Sequence, residues 1–129
     1  MIERINISSP SPWEDIVGYS RAVRVGNTVE VAGTTASEGD TFIGKGNLYE
    51  QTKFIFQKIE KALRDAGASM NDVVRTRMFV TDISKWEEAG KAHVEFFKDI
   101  KPVATMVEVS RLIHPDLLIE IEVTAVLKN

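Results

Sequence analysis

Apolar and polar positions alternate in two runs near the amino terminus, YSRAVRV and TVEVAGTTA, separated by Gly26-Asn27. A period of two predicts strands, and Gly-Asn suits a tight primed turn, so Tyr19 to Ala36 is expected to form a β-hairpin. Gly33 interrupts its second strand, where a glycine marks a bulge or the close approach of another group to the backbone. Upstream, IERINIS predicts a short first strand and SPSPWED a loop; downstream, SEGDTFIGKG predicts a glycine-rich polar loop of low order.

At Asn47 the period changes. Leu48, Thr52, Ile55, Ile59, Ala62, Leu63 and Ala66 recur three or four apart, one face of a helix, with Asn47 and Glu50 as a capping box and Gly67 as terminator. DVVRTRMFVTD returns to alternation, placing Val74, Thr76, Met78 and Val80 on one face and Arg75, Arg77 and Phe79 on the other. A second helix is expected to open at Ser84, with Glu87 three residues on and an apolar face of Trp86, Ala89, His93, Phe96 and Phe97. The closing stretch PVATMVEVSRLIHPDLLIEIEV reads as two strands joined by a short Pro-containing turn.

The order is therefore β-β-β-α-β-α-β-β. It predicts a single α+β domain over residues 1–129, with a sheet of about six strands and both helices on one face. In the last strand Ile119, Ile121, Val123 and Ala125 are expected to face the helices, while Glu120, Glu122 and Thr124 point away together with Met106 and Phe79. An isolated buried carboxylate costs several kcal/mol, so this mixed outer face is expected to close against other subunits around a polar pocket.

Composition narrows the partners. The chain has 129 residues, 43% of them hydrophobic, with a net charge of -3 and no cysteine. The scattered basic residues leave no footprint for nucleic acid, and the lack of cysteine excludes disulfides, a thiolate nucleophile and a Cys-rich zinc site. The amino-terminal residues carry no cationic stretch followed by an apolar run, and no segment is long and apolar enough for a membrane span, so a cytoplasmic protein is expected. His93 lies on the apolar stripe of the second helix and reads as a core histidine. His114, beside Pro115, is too far along the chain from His93 for a characteristic metal-ligand spacing, so no metal is expected. Trp13, in the loop before Tyr19, is read equally as a pocket wall or as a pin holding that loop to the core.

The segments GYSRAVRVGNTVEVAG, VVRTRMFVTDI, AHVEFF, PVATMVEVSRL and IEIEVTAV, in this order, resemble the RidA/YjgF family, also called the L-PSP endoribonuclease-like family. The resemblance implies a chorismate-mutase-like homotrimer with small-molecule clefts between subunits. It also implies hydrolysis of enamines or imines to a carbonyl product and ammonia, without a cofactor. Carried over residue by residue, Glu120 matches the strand carboxylate that positions water, Tyr19 the tyrosine of the site, and Gly33 the hairpin glycine, with Ala32 where a serine is usual. Ala104 stands where the family's carboxylate-binding arginine belongs, and Met106 where a cysteine or small residue is common.

A desolvated charge-assisted contact of that kind contributes roughly 1.5–3 kcal/mol. Arg75 and Arg77 are the candidate replacements, read either as structural ion pairs with Glu108 or Glu122 or as cations reaching the cleft. Three functional readings follow: an imine or enamine hydrolase acting through Glu120, a non-catalytic trimer that binds a small metabolite, and, from the family's alternative name, a ribonuclease or translation inhibitor. The acidic chain, without paired acid/base histidines, weighs against the third.

Overall fold

A computed structural model describes residues 2–128. Strands β1 (Arg4–Ile7), β2 (Ala22–Val25) and β3 (Thr28–Thr34) form an antiparallel meander. Gly26, at φ 60°, and Asn27 make the two-residue turn between β2 and β3. Two short elements depart from the expected loops. SPSPWED leads into the helix α1 (Trp13–Val17), which ends at Gly18 in the left-handed region, and the glycine-rich stretch folds as a small hairpin of β4 (Ser37–Glu38) and β5 (Thr41–Phe42).

Helix α2 (Leu48–Asp65) starts where Asn47 Oδ1 accepts from the Glu50 backbone N–H at 3.0 Å. At its other end the Arg24 guanidinium donates to Ala66 O at 2.8 Å and Gly67 adopts φ 84°, satisfying and turning the last carbonyls. Strand β6 (Val73–Val80) follows. Its register with the neighbouring strand shifts between Val73 and Arg75, so Val73 takes the buried place expected for Val74, which is exposed. Helix α3 (Trp86–Phe97) is entered through a single 3₁₀ turn whose cap is Asp82, not Ser84: the Asp82 carboxylate accepts from the Ser84 N–H at 3.0 Å. Trp86, expected on the apolar face, is exposed.

The closing segment is not a hairpin. Strand β7 (Val103–Glu108) runs parallel to β6, joined to it through α3, and β8 (Ile119–Val126) inserts between β3 and β6. The sheet order is β1-β2-β3-β8-β6-β7, which leaves β7 as an edge strand. A parallel neighbour needs a crossover, which α3 supplies, whereas residues 109–118 form a connection too long for a tight turn. That connection is fixed to α2 by the buried Gln51, whose amide donates to Asp116 O at 2.8 Å and accepts from the Leu118 N–H at 2.9 Å.

Both longer helices cover one face of the six-stranded sheet, as the pattern predicts. The core between them includes Val29, Val31, Ile55, Phe56, Ile59, Leu63, Val80, Ile119, Ile121 and Val123. Ile119, Ile121, Val123 and Ala125 alternate along β8 with half-exposed Glu120, Glu122 and Thr124 on the outer face.

Candidate functional site

Three features position Glu120. It lies on the outer face of the central strand β8, directly opposite Phe79 of β6. On its other side the β3–β8 register shifts between Val31 and Thr34, and Gly33 sits inside that irregularity. The Glu120 carboxylate occupies the space that a β-carbon on Gly33 would fill, so the glycine permits the close approach of this side chain. Burial raises the Glu120 carboxyl above its ordinary value, and the nearby Glu122 carboxylate raises it further; the Arg21 guanidinium opposes both.

Arg21 is the residue that the sequence pattern did not single out. It is 8% exposed, although its neighbours in YSRAVRV read as an ordinary half-buried strand. Its Nη1 donates to Gly33 O at 3.3 Å and to Thr34 Oγ1 at 3.2 Å, and its guanidinium carbon stands 5.6 Å from the centre of the Tyr19 ring. Glu14 of α1, also buried, approaches Arg21 Nε at 3.9 Å and accepts from the backbone N–H and hydroxyl of Ser9. Gly18 and Tyr19 both donate their backbone N–H to Glu14 O, so α1 and its C-terminal turn bring Tyr19 and the buried carboxylate to Arg21 together. No local signal pairs Glu14 with Arg21, because the turn that joins them is made by the Pro-rich segment read as a loop.

Lys58 of α2 borders the same cluster. It donates to Thr35 O at 3.1 Å and Ser37 O at 2.9 Å, and burial, with the Arg21 charge second, lowers its pKa to about 8.

The other expected site residues are distributed differently. Arg77 pairs with Glu122 across the sheet at 3.9 Å, both side chains roughly half exposed, and Arg75 lies beside Thr124 and Val103 on the same outer face. Ala104 and Met106 do not share that face. Ala104 is opposite buried Thr76 and Met106 opposite buried Met78, and Met106 packs against the core, so the parallel register turns both toward the helices. Glu108 lies at the end of the edge strand, where it accepts from the Ile83 N–H at 3.0 Å.

His93 is half-buried against Phe56 and Phe97, with Nε2 2.9 Å from Thr76 Oγ1, and burial lowers its pKa. His114 stacks on Phe42, and its Nδ1 accepts from the Asp116 N–H at 3.1 Å. Trp13, at the start of α1, is about half exposed.

An open depression of about 780 Å³ spans the outer face, with Asn6, Glu14, Tyr19, Ala32, Arg77 and Glu122 on its walls. It reaches the Tyr19 and Glu14 side of the cluster; Glu120 and Gly33 lie beside it rather than on its lining. Chemically, the arrangement offers a half-buried carboxylate of raised proton affinity, held against backbone, with a buried cation and a phenol close by. Such a group can accept a proton from water and return it.

An α+β sheet with two helices on one face and a carboxylate cluster on the other defines the class. A family model described as endoribonuclease L-PSP matches residues 9–127. A RutC family protein of Pyrococcus abyssi is 41% identical over 83% of this chain and 84% of its own length. An uncharacterised protein of Streptomyces coelicolor is 40% identical over 92% and 89%. Among solved structures, a Mycobacterium tuberculosis member of the YjgF/YER057c/UK114 family superposes with a TM-score of 0.88 at 50% identity, covering 97% of this chain and 100% of that one. Yeast Mmf1 superposes with a TM-score of 0.86 at 25% identity, covering 98% and 100%. The chain belongs to the RidA/YjgF family, the L-PSP endoribonuclease family of the matching model. Among the described residues no helix is long and apolar enough to cross a membrane.

Proposed function

We propose that this protein is a cytoplasmic homotrimer whose intersubunit cleft hydrolyses a small enamine or imine to a carbonyl product and ammonia. The observation that carries this reading is the Glu120 carboxylate, half-buried over Gly33 with its pKa raised. Glu120 takes a proton from water as the oxygen adds to the C=N carbon, then delivers it to the nitrogen. This gives a carbinolamine, whose hydroxyl proton the carboxylate takes and passes to the amine as the carbonyl forms, so that the C–N bond breaks and ammonia leaves. An enamine first takes a proton at carbon to become the imine. Tyr19, beside Arg21, frames the site. Assembly is supported by the free edge of β7, with Val103 and Val107 exposed, and by the mixed outer face.

The test is release of keto acid and ammonia from imines generated in situ, on protein whose trimeric mass is checked by sedimentation. Wild type is expected to be active and Glu120→Ala inactive; equal release by the two proteins would overturn the reading.

A second reading is a trimer that binds a small metabolite without turning it over, because Ala104 stands where the resemblance places a substrate-binding arginine and lies off the outer face that carries Glu120. Under that reading wild type binds the metabolite but releases no ammonia. Arg75 and Arg77 remain the outer-face cations open to such a ligand. The ribonuclease implied by the family model's description has weak support in this acidic chain, and incubation of the trimer with single-stranded RNA tests it directly.

A further inference from the structure

We infer that Arg21 is a positioning residue for Glu120: it clamps the irregular segment of β3 on which the carboxylate rests and places a buried guanidinium beside that segment. This rests on the reading of Glu120 as the reacting group and adds a residue that the resemblance did not assign.

The clamp is visible in the bonds. Nη1 holds Gly33 O and Thr34 Oγ1, and Thr34 Oγ1 in turn donates to Ala32 O at 2.8 Å. The three residues that carry the register shift beneath Glu120 are thus tied to one guanidinium. A β-bulge leaves unpaired backbone groups in an otherwise regular ladder, and Nη1 of the buried guanidinium reaches the Gly33 carbonyl and the Thr34 hydroxyl at once.

The charge follows from burial. A guanidinium that is more than nine-tenths enclosed requires compensation, and Glu14 at 3.9 Å supplies an opposite charge without a hydrogen bond, so among the described residues Nε has no hydrogen-bond partner. Part of that charge acts on the Glu120 carboxylate. The carboxylates facing Glu120 and Arg21 from the surrounding elements are Glu14 on α1 and Glu122 on β8, the latter paired with Arg77 of β6. Lys58 on α2 adds a second positive charge beside Arg21, and the neutral phenol of Tyr19 closes the other side. Without Arg21, burial and Glu122 act on Glu120 with no comparable opposition from the β2–β3 side.

The experiment is a side-chain carboxyl carbon NMR titration of Glu120 in wild type, Arg21→Gln, Arg21→Lys, Glu14→Gln and Glu14→Gln/Arg21→Gln. The readout is a protonation midpoint, independent of activity, so it stands or falls separately from the proposed hydrolysis. Arg21→Gln is expected to raise the Glu120 midpoint by about one pH unit, a tenfold change in proton affinity. Arg21→Lys is expected to bring the midpoint back while leaving the Gly33 and Thr34 amide resonances displaced, which separates charge from clamp. Because Arg21→Gln strands the buried Glu14, the comparison of Glu14→Gln with Glu14→Gln/Arg21→Gln makes the same measurement without an orphaned charge. An unmoved Glu120 midpoint in that comparison, or an equal shift at distant Glu60, would overturn the assignment.

Discussion

The carboxylate of Glu120 stands where a β-carbon on Gly33 would have to be, so the two positions are coupled through shared space. Gly33 does not adopt a positive φ, and alanine fits its backbone; what alanine displaces is the end of a flexible side chain. Gly33→Ala is therefore expected to cost no more than about 1.5 kcal/mol of stability while moving Glu120 away from β3. In a double-mutant cycle with Glu120→Ala the cost should largely disappear, because the obstructing atoms are gone. Chemical denaturation of the four proteins measures this, and additive costs would contradict the shared-space account.

Glu120 also makes stability depend on pH in a stated direction. Burial raises its folded-state pKa, Glu122 adds to the rise, and Arg21 only partly opposes it. Folding thus favours the protonated acid. The contribution to stability is full below the unfolded carboxylate value and is lost as pH rises through the folded value. Glu120→Gln, which cannot ionise, is expected to melt at a higher temperature than wild type at neutral pH, with the advantage shrinking toward about pH 4. Thermal melts across that range check it, and an advantage that grows on acidification would contradict it.

His93 works in the opposite sense. Burial lowers its pKa below the ordinary 6.5, so its contribution is present above that value and declines as pH falls through the range in which the unfolded chain protonates. The hydroxyl of Thr76 is fully buried, and His93 Nε2 is its hydrogen-bond partner. Nε2 is therefore expected to accept that hydrogen, leaving the ring proton on Nδ1. Thr76→Val should cost about 1–2 kcal/mol, whereas Thr76→Val/His93→Phe should recover much of it and flatten the stability profile between about pH 5 and about pH 7. Nitrogen-15 shifts of the imidazole report the tautomer, and a proton on Nε2 would count against this arrangement.

The Arg77–Glu122 pair is half exposed and separated by 3.9 Å. In the isolated subunit a double-mutant cycle should assign it no more than about 1 kcal/mol, decreasing with added salt. A salt-independent coupling well above that, measured on the assembled protein, would show instead that assembly buries the pair.

Much of the fold was legible wherever the two faces of an element meet different surroundings. Strand β8 reads clearly because Ile119, Ile121, Val123 and Ala125 meet the helices while Glu120, Glu122 and Thr124 do not. Helix α2 reads clearly because its long apolar stripe carries a cap at Asn47. The order of strands was less legible: nothing local to β7 says that its partner is β6 across a helix rather than β8 across a loop, and the wrong neighbour also put Ala104 and Met106 on the wrong face. Val74 was misplaced because a register shift leaves the alternation in the sequence unchanged.

The resemblance points to Glu120, Gly33 and Tyr19, and these three residues lie together around Arg21. Arg21 itself was missed. A buried arginine and a solvated one look alike in a strand of mixed residues, and its partner Glu14 comes from a five-residue helix hidden in a Pro-rich segment.

The most direct measurement is the initial rate of ammonia release from an imine generated in situ, made on fractions of wild type and Glu120→Ala matched for mass by sedimentation. If Glu120 moves the proton of water, the substitution lowers the rate by about a hundredfold or more. Equal rates in two folded proteins of matching mass would contradict the central claim that this carboxylate carries the chemistry.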